Sequence, residues 1–279
     1  MSKFSLIFVA ILSLGLNSYS AAVTISLDFE SQFAFSSTVP SGWGFLDTGR
    51  GTSGNYFATA DGGGVASDGT SIDTGLAGVI TAGPNTHGGR LPVSMLVNSG
   101  SALGFDVNQN ITGSYDFKYT PSSAYDSSAF LFGDLKSGAI SGSSAGQLLE
   151  FYHSRGGYGN APPSFIDGAA NSLQSGGSNF NANNTWYRVG FTWTATGAKS
   201  GNLSVTSTRW NGSTFVSHGT YTYNGFTFDS NEAYFGFTDL YAADTTFDNI
   251  SITGELVPEP SHLALIVVSF SSLLLRRRR

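Results

Sequence analysis

The chain has 279 residues; charged side chains make up only 11 % of it and aromatic ones 14 %, with 36 Gly, 22 Phe, 12 Tyr and 4 Trp. That much aromatic surface can fill a core of ordinary size, so the chain reads as a folded domain with long loops rather than a disordered one. Without cysteine there is no disulfide, no thiol nucleophile and no thiolate metal site. Of the 13 basic residues, Lys3 and the four terminal arginines lie at the ends; with Glu259 also set aside, eight basic residues face eighteen acidic ones, leaving a body about ten charges negative. Such a balance argues against nucleic acid as a partner.

Residues 1–22 have the parts of a secretory signal peptide: Lys3, an apolar run over 4–16, and small residues ending in Ser20, Ala21 and Ala22. Cleavage after Ser20 or after Ala22 fits the small-x-small rule. The mature N-terminus then alternates, with Val23, Ile25, Leu27 and Phe29 on one face of a strand over 23–30. Residues 36–54 and, after a short strand, a glycine-rich region through Arg90 read as loop. The stretch 111–120 alternates strictly, Ile111, Gly113, Tyr115, Phe117 and Tyr119 against Thr112, Ser114, Asp116, Lys118 and Thr120, as a half-buried antiparallel strand does. Further strands are expected at 129–135 and 148–153. A second loop of some thirty residues, rich in Gly, Asn, Ser and Pro, covers 154–184. Beyond it Tyr187, Val189, Phe191 and Trp193 share a face, and runs at 203–210, 215–223, 233–238 and 246–253 complete the set. No helical period appears between the termini. Long loops of this kind are uncommon unless functional or disordered, so the two loop regions are where a binding surface is expected.

The C-terminus reads Val257, Pro258, Glu259, Pro260, Ser261, His262, then an apolar run over 263–275, then Arg276, Arg277, Arg278 and Arg279. Thirteen residues at about 1.5 Å each make about 20 Å of helix, short of a hydrocarbon core of about 30 Å. The arginines hold that end in the cytoplasm and leave the body on the outer side, where a signal peptide also delivers it. Motif, short apolar helix and arginine cluster, in this order at the chain end, resemble the PEP-CTERM sorting signal. That resemblance implies recognition of Val257, Pro258, Glu259, Pro260 and Ser261 by exosortase, a membrane protease of Gram-negative bacteria. It also implies transient membrane contact, the four arginines as the stop, and a link to exopolysaccharide.

Many strands separated by Gly, Ser and Asn turns indicate a sandwich. The expected fold is all-β: an antiparallel two-sheet jelly roll with the first and last strands side by side, flanked by an N-terminal signal helix and a short C-terminal transmembrane helix. The run Trp186, Tyr187, Arg188, Val189, its partner strand at 203–210, and the closing Phe247, Asp248, Asn249, Ile250 resemble the concanavalin A-like and laminin G-like sandwiches. The chain divides into signal peptide 1–22, β-sandwich 23–254 and sorting signal 255–279.

Candidate chemistry is sparse. Ser144 lies in a G-x-S-x-G pattern, but a chain this rich in Gly and Ser meets that pattern by chance, and the strand–turn–helix context is missing. Glu150 and His153 form an acid–base pair by proximity in sequence, and a solvent-facing pair on a strand explains them equally well; no second acid accompanies Glu150 as glycoside hydrolysis requires. Asp28, Glu30 and Asp248 would converge if the first and last strands pair, offering calcium the oxygen ligands it prefers; capping of a sheet edge is the alternative. Trp43, Tyr158, Trp186 and Trp210 are candidates for stacking on sugar rings, and Trp186 and Trp210 are the better ones, because each points away from the apolar face of its strand, toward solvent. The expected function is a non-catalytic exported envelope or matrix protein associated with exopolysaccharide or another glycan. The alternatives are a structural surface protein without a specific ligand and a polysaccharide-degrading enzyme.

Overall fold

The computed structural model describes residues 21–27, 29, 44–47, 57–60, 64–66, 70–72, 77–81, 94–97, 104–120, 127–135, 146–154, 164–167, 172–175, 180, 184–240 and 244–257. In chain order the strands are β1 (Ala22–Leu27), β2 (Gly44–Asp47), β3 (Phe57–Ala60), β4 (Ala77–Thr81), β5 (Ser94–Val97), β6 (Phe105–Asp106), β7 (Ile111–Thr120) and β8 (Ser127–Gly133). They continue with β9 (Leu148–Ser154), β10 (Ser164–Asp167), β11 (Ser172–Ser175), β12 (Trp186–Gly197), β13 (Ser200–Trp210), β14 (Phe215–Thr227), β15 (Glu232–Leu240) and β16 (Asp244–Glu255).

These strands form two antiparallel sheets. The first has the order β14-β13-β12-β7-β16-β4-β3, with β1 also on β16; the second has the order β11-β10-β9-β8-β15-β5-β2, with β6 also on β15. First and last strands pair as the sequence suggests, from Ala22 opposite Glu255 to Leu27 opposite Ile250. β16 is long enough to hold two neighbours on one edge, β4 along 244–247 and β1 along 250–255. Between them its pairing with β7 is interrupted from Asp248 to Ser251. Asn249 has φ 47° at that bulge, a left-handed conformation that Asn tolerates better than most residues.

Period-2 alternation sends the apolar face of each sheet into a shared aromatic core. Tyr115 and Phe117 of β7, and Tyr187, Val189 and Trp193 of β12, are fully buried, as are Phe130 and Phe132 of β8 and Phe235 and Phe237 of β15. Rings from the two sheets meet directly: Phe130 and Phe191 at 4.6 Å, Tyr115 and Phe237 at 4.9 Å edge to face, Phe132 and Trp193 at 5.5 Å edge to face. The Trp193 indole donates to Val107 O at 2.8 Å, so its one polar atom is satisfied inside the core.

The long strands fall where the alternation puts them, and β7 has the expected bounds. The loop regions differ from expectation. Besides the short strand expected after residue 54, which is β3, residues 36–90 contain β2 and β4, and residues 154–184 contain β10 and β11, each only four or five residues long. A strand that short shows barely two alternations, too few to stand out in a Gly-rich and Ser-rich background.

Candidate functional site at the outer face of the first sheet

On the outer face of the first sheet, register lines up a transverse row of large side chains. Lys118 of β7 lies opposite Trp186 of β12. Trp210 sits one position beyond the pair Tyr187–Arg209, hence beside Trp186, and is itself opposite Phe215 of β14. The Lys118 ammonium is 5.1 Å from the centre of the Trp186 ring, and Trp210 meets Phe215 edge to face at 5.3 Å. The next row inward holds Asp116, Arg188 and Thr208.

The rows beyond carry hydroxyls. Thr24, Thr253, Thr112, Thr192, Ser204 and Thr222 stand opposite one another across six strands. Ser26, Ser251, Ser114, Gly190, Thr206 and Thr220 form the neighbouring row. None of these residues is buried.

Trp186 and Trp210 therefore do come together on the outer face, but not as two exposed platforms. Trp186 is only 4 % exposed and packs with Val65 and Ala77, with Ile72, Trp210 and Phe215 against it. This corrects the expectation that it points into solvent: a sheet face is solvated only where no other segment lies across it, and here an antiparallel bridge between Val65 and Ile72 does. Trp210 keeps partial exposure. Together with Lys118, Asn184, Arg209 and the turn at Asn211 and Gly212, the two tryptophans line an open groove of about 690 Å³. Asn211 shapes its end, because its side-chain oxygen accepts from the backbone N–H groups of Ser213 and Thr214 and from the Ser213 hydroxyl, each at 3.0 Å. Gly212 supplies the turn's positive φ of 102°.

The bridge over Trp186 is held by the bulge of β16. Val65 N–H donates to Asp248 Oδ2 at 2.9 Å, and Asn249 Nδ2 donates to Val65 O at 2.7 Å and to Asp116 Oδ2 at 2.9 Å. Asp116 in turn accepts two bonds of 2.7 Å from the Arg188 guanidinium, the bidentate geometry in which Arg is strongest. Burial pushes the Asp116 carboxyl up from its ordinary range, and Arg188 and Asn249 offset only part of that rise.

Asp248 is 1 % exposed, and its second oxygen accepts from Asn249 N–H at 2.8 Å. Both oxygens are thus engaged by amides, an arrangement that fits a clamp better than a calcium ligand. Asp28 and Glu30 lie outside the described residues, as do Trp43, Tyr158, Ser144, Pro258, Glu259, Pro260, Ser261 and the four terminal arginines. Val257 is described: its N–H donates to Gly104 O at 3.0 Å, so hydrogen bonding to the body continues past residue 254 to the first residue of the VPEPS run. Among the described residues no group of three or more His, Cys, Asp or Glu is placed to hold a metal ion.

Glu150 and His153 are not a pair. Three positions apart on a strand, they face opposite sides of the second sheet. His153 is fully buried in the core, stacked 3.9 Å from Phe117, with Nε2 2.5 Å from Tyr115 Oη and Nδ1 2.9 Å from Ser128 Oγ. Glu150 is 7 % exposed and lies opposite Leu131 and Ile166. Neither faces solvent.

Sequence reasoning missed Lys118, Phe215 and the Val65–Ile72 bridge. Lys118 was visible as the basic residue on the polar face of its strand, but its position beside Trp186 depends on β7 pairing with β12, which no local pattern reveals.

No protein-family model and no curated protein matches the chain. Solved structures do. Lectin II from Ulex europaeus is similar at 10 % identity over 83 % of this chain and 98 % of that one, with a TM-score of 0.52. The lectin UEA-II complexed with galactose is similar at 11 % identity over 82 % and 98 %, with a TM-score of 0.51. The marine PL-14 alginate lyase from Aplysia kurodai gives 16 % identity over 68 % and 86 %, with a TM-score of 0.47. At these identities the likeness is one of fold, and with the strand order above it makes the body a two-sheet, concanavalin A-like jelly-roll sandwich.

Proposed function

We propose that this is an exported, non-catalytic envelope protein that associates with a glycan through the groove at Trp210. The observation that carries the reading is the convergence of Trp186 and Trp210 in one open groove. Trp186 forms its floor, and Trp210 offers the aromatic surface on which a sugar ring stacks. A fold shared with a galactose-bound lectin is compatible with this, but fold alone does not fix function; the groove is what supports it. The enzyme alternative has less support, since the acid–base candidates Glu150 and His153 lie on opposite faces of their sheet.

Export and sorting belong to the same proposal. The signal peptide brings the body across the inner membrane, the run from Val257 to Ser261 is recognised for exosortase-type processing, and exopolysaccharide is the natural ligand at the surface. A structural calcium near the junction of β1 and β16 would have to rest on Asp28 and Glu30, because both oxygens of Asp248 accept backbone N–H groups.

Retention of the purified protein on immobilised neutral and acidic polysaccharides, with and without EDTA, tests the reading. Retention that Trp210→Ala weakens about fivefold or more, taking the about 1–3 kcal/mol of a base stacked on an aromatic side chain as the guide for a sugar ring, is the expected result. No retention on any polysaccharide would overturn it, and an EDTA-insensitive result would remove calcium from the account.

A further inference from the structure

We infer that the glycan taken by this groove is acidic, with a carboxylate or sulfate group set against Lys118 while a ring of the chain lies on Trp210. The inference rests on the reading of the groove as a glycan site and adds the charge class of its ligand.

Lys118 is half-buried beside Trp186 and has no salt bridge among the described residues. The acid nearest to it on the outer face of β7 is Asp116, whose two oxygens accept both bonds from Arg188 and a further one from Asn249. Arg188 is therefore neutralised within its own row, and Lys118 is left as a cation over an aromatic face. Burial lowers the pKa of the Lys118 ammonium, and no charge partner offsets that effect. A partly desolvated cation without a counter-charge gains from an anion brought to it, more than a fully hydrated lysine would.

Arg209 lines the same groove, and no carboxylate lines it among the described residues. The body as a whole carries more acid than base, so the basic character is local to this groove and does not make the protein a general polyanion binder.

The test measures affinity of the purified protein for polygalacturonate, a sulfated galactan, a neutral galactan, and polyacrylate as a polyanion without sugar rings. It uses the unaltered chain, Lys118→Gln, Lys118→Arg and Trp210→Ala, with unchanged thermal unfolding midpoints as the check on folding. A charge-assisted contact predicts about a tenfold or greater preference for an acidic over the neutral polymer. Lys118→Gln should reduce that preference to within about twofold, Lys118→Arg should restore it, and added salt should weaken it; the uronate and the sulfated arms tell which anionic group is preferred. Equal affinity for acidic and neutral polymers, or a preference that survives Lys118→Gln, overturns the inference and leaves the glycan reading intact. Equal affinity for polyacrylate, insensitive to Trp210→Ala, overturns both, as does binding to none of the four.

Discussion

His153 is a titratable ring held where no proton can easily reach it. It is enclosed by Phe117, Phe151 and Phe180, and its two nitrogens are engaged by Tyr115 and Ser128. A neutral imidazole has one donor and one acceptor, which matches two hydroxyl partners; an imidazolium would have two donors and no counter-charge. Burial accordingly pulls its pKa from the usual 6.5 down to about 3. Between those values the unfolded chain binds a proton that the folded chain does not. The stability gained from the neutral ring is therefore complete above about pH 6.5 and is lost as pH falls toward 3, by up to about 1.4 kcal/mol per pH unit. Denaturant titrations across that range should show this slope in the unaltered protein and a shallower one in His153→Gln. Identical slopes would contradict the assignment. The sequence displayed the histidine but not its setting, because the rings around it come from both sheets.

At the scale of elements, two features are built by close approach across strands. Gly113 of β7 lies under Phe191, and a Cβ there would collide with the ring and sit 2.7 Å from Ser251 O. Gly113→Ala should cost about 1–3 kcal/mol, as overpacking of a filled core does; an unchanged urea midpoint would show that the sheet relaxes around it. The bulge of β16 is the second feature, since its Asp248 and Asn249 hold the Val65–Ile72 bridge against Trp186. Asp248→Ala leaves two backbone N–H groups without that acceptor, at a cost of about 1–3 kcal/mol, and should loosen the cover over Trp186. Increased acrylamide quenching of tryptophan fluorescence in the native state is the expected signature, and unchanged quenching would argue that the cover is held elsewhere. The long strands, with β7 the clearest, were legible because ten or more residues repeat the alternation several times. β2, β4, β10 and β11 were not, because four or five residues cannot. The side of the sheet on which Trp186 lies was also legible from parity; its burial was not, because the covering segment is distant in the chain and has no pattern of its own.

For the molecule as a whole, the sandwich closes on its own ends. Ala22 pairs with Glu255, and Leu256 and Val257 still contact Phe105 and Gly104. A signal-peptide cleavage after Ala22 would delete the first residue of β1, whereas cleavage after Ser20 leaves the strand whole. On the proposed export, Ala21 is therefore the expected mature N-terminus, which intact-mass measurement of the protein recovered from the envelope or medium checks directly; a terminus at Val23 would contradict it. The proposed binding groove draws on β7, β12, β13, the turn after β13 and the neighbourhood of Ile72, so only the assembled sheet creates it. Of its parts, the two tryptophans could be nominated from sequence, and the cation beside them could not.

Hydrogen exchange of the purified protein, with and without a saturating acidic polysaccharide, tests the central claim most directly. The account predicts slowed exchange at the turn 211–214 and at the neighbouring ends of β12, β13 and β14, with β8, β9 and β15 in the other sheet unaffected. Protection confined to that other sheet, or no protection anywhere, would contradict it.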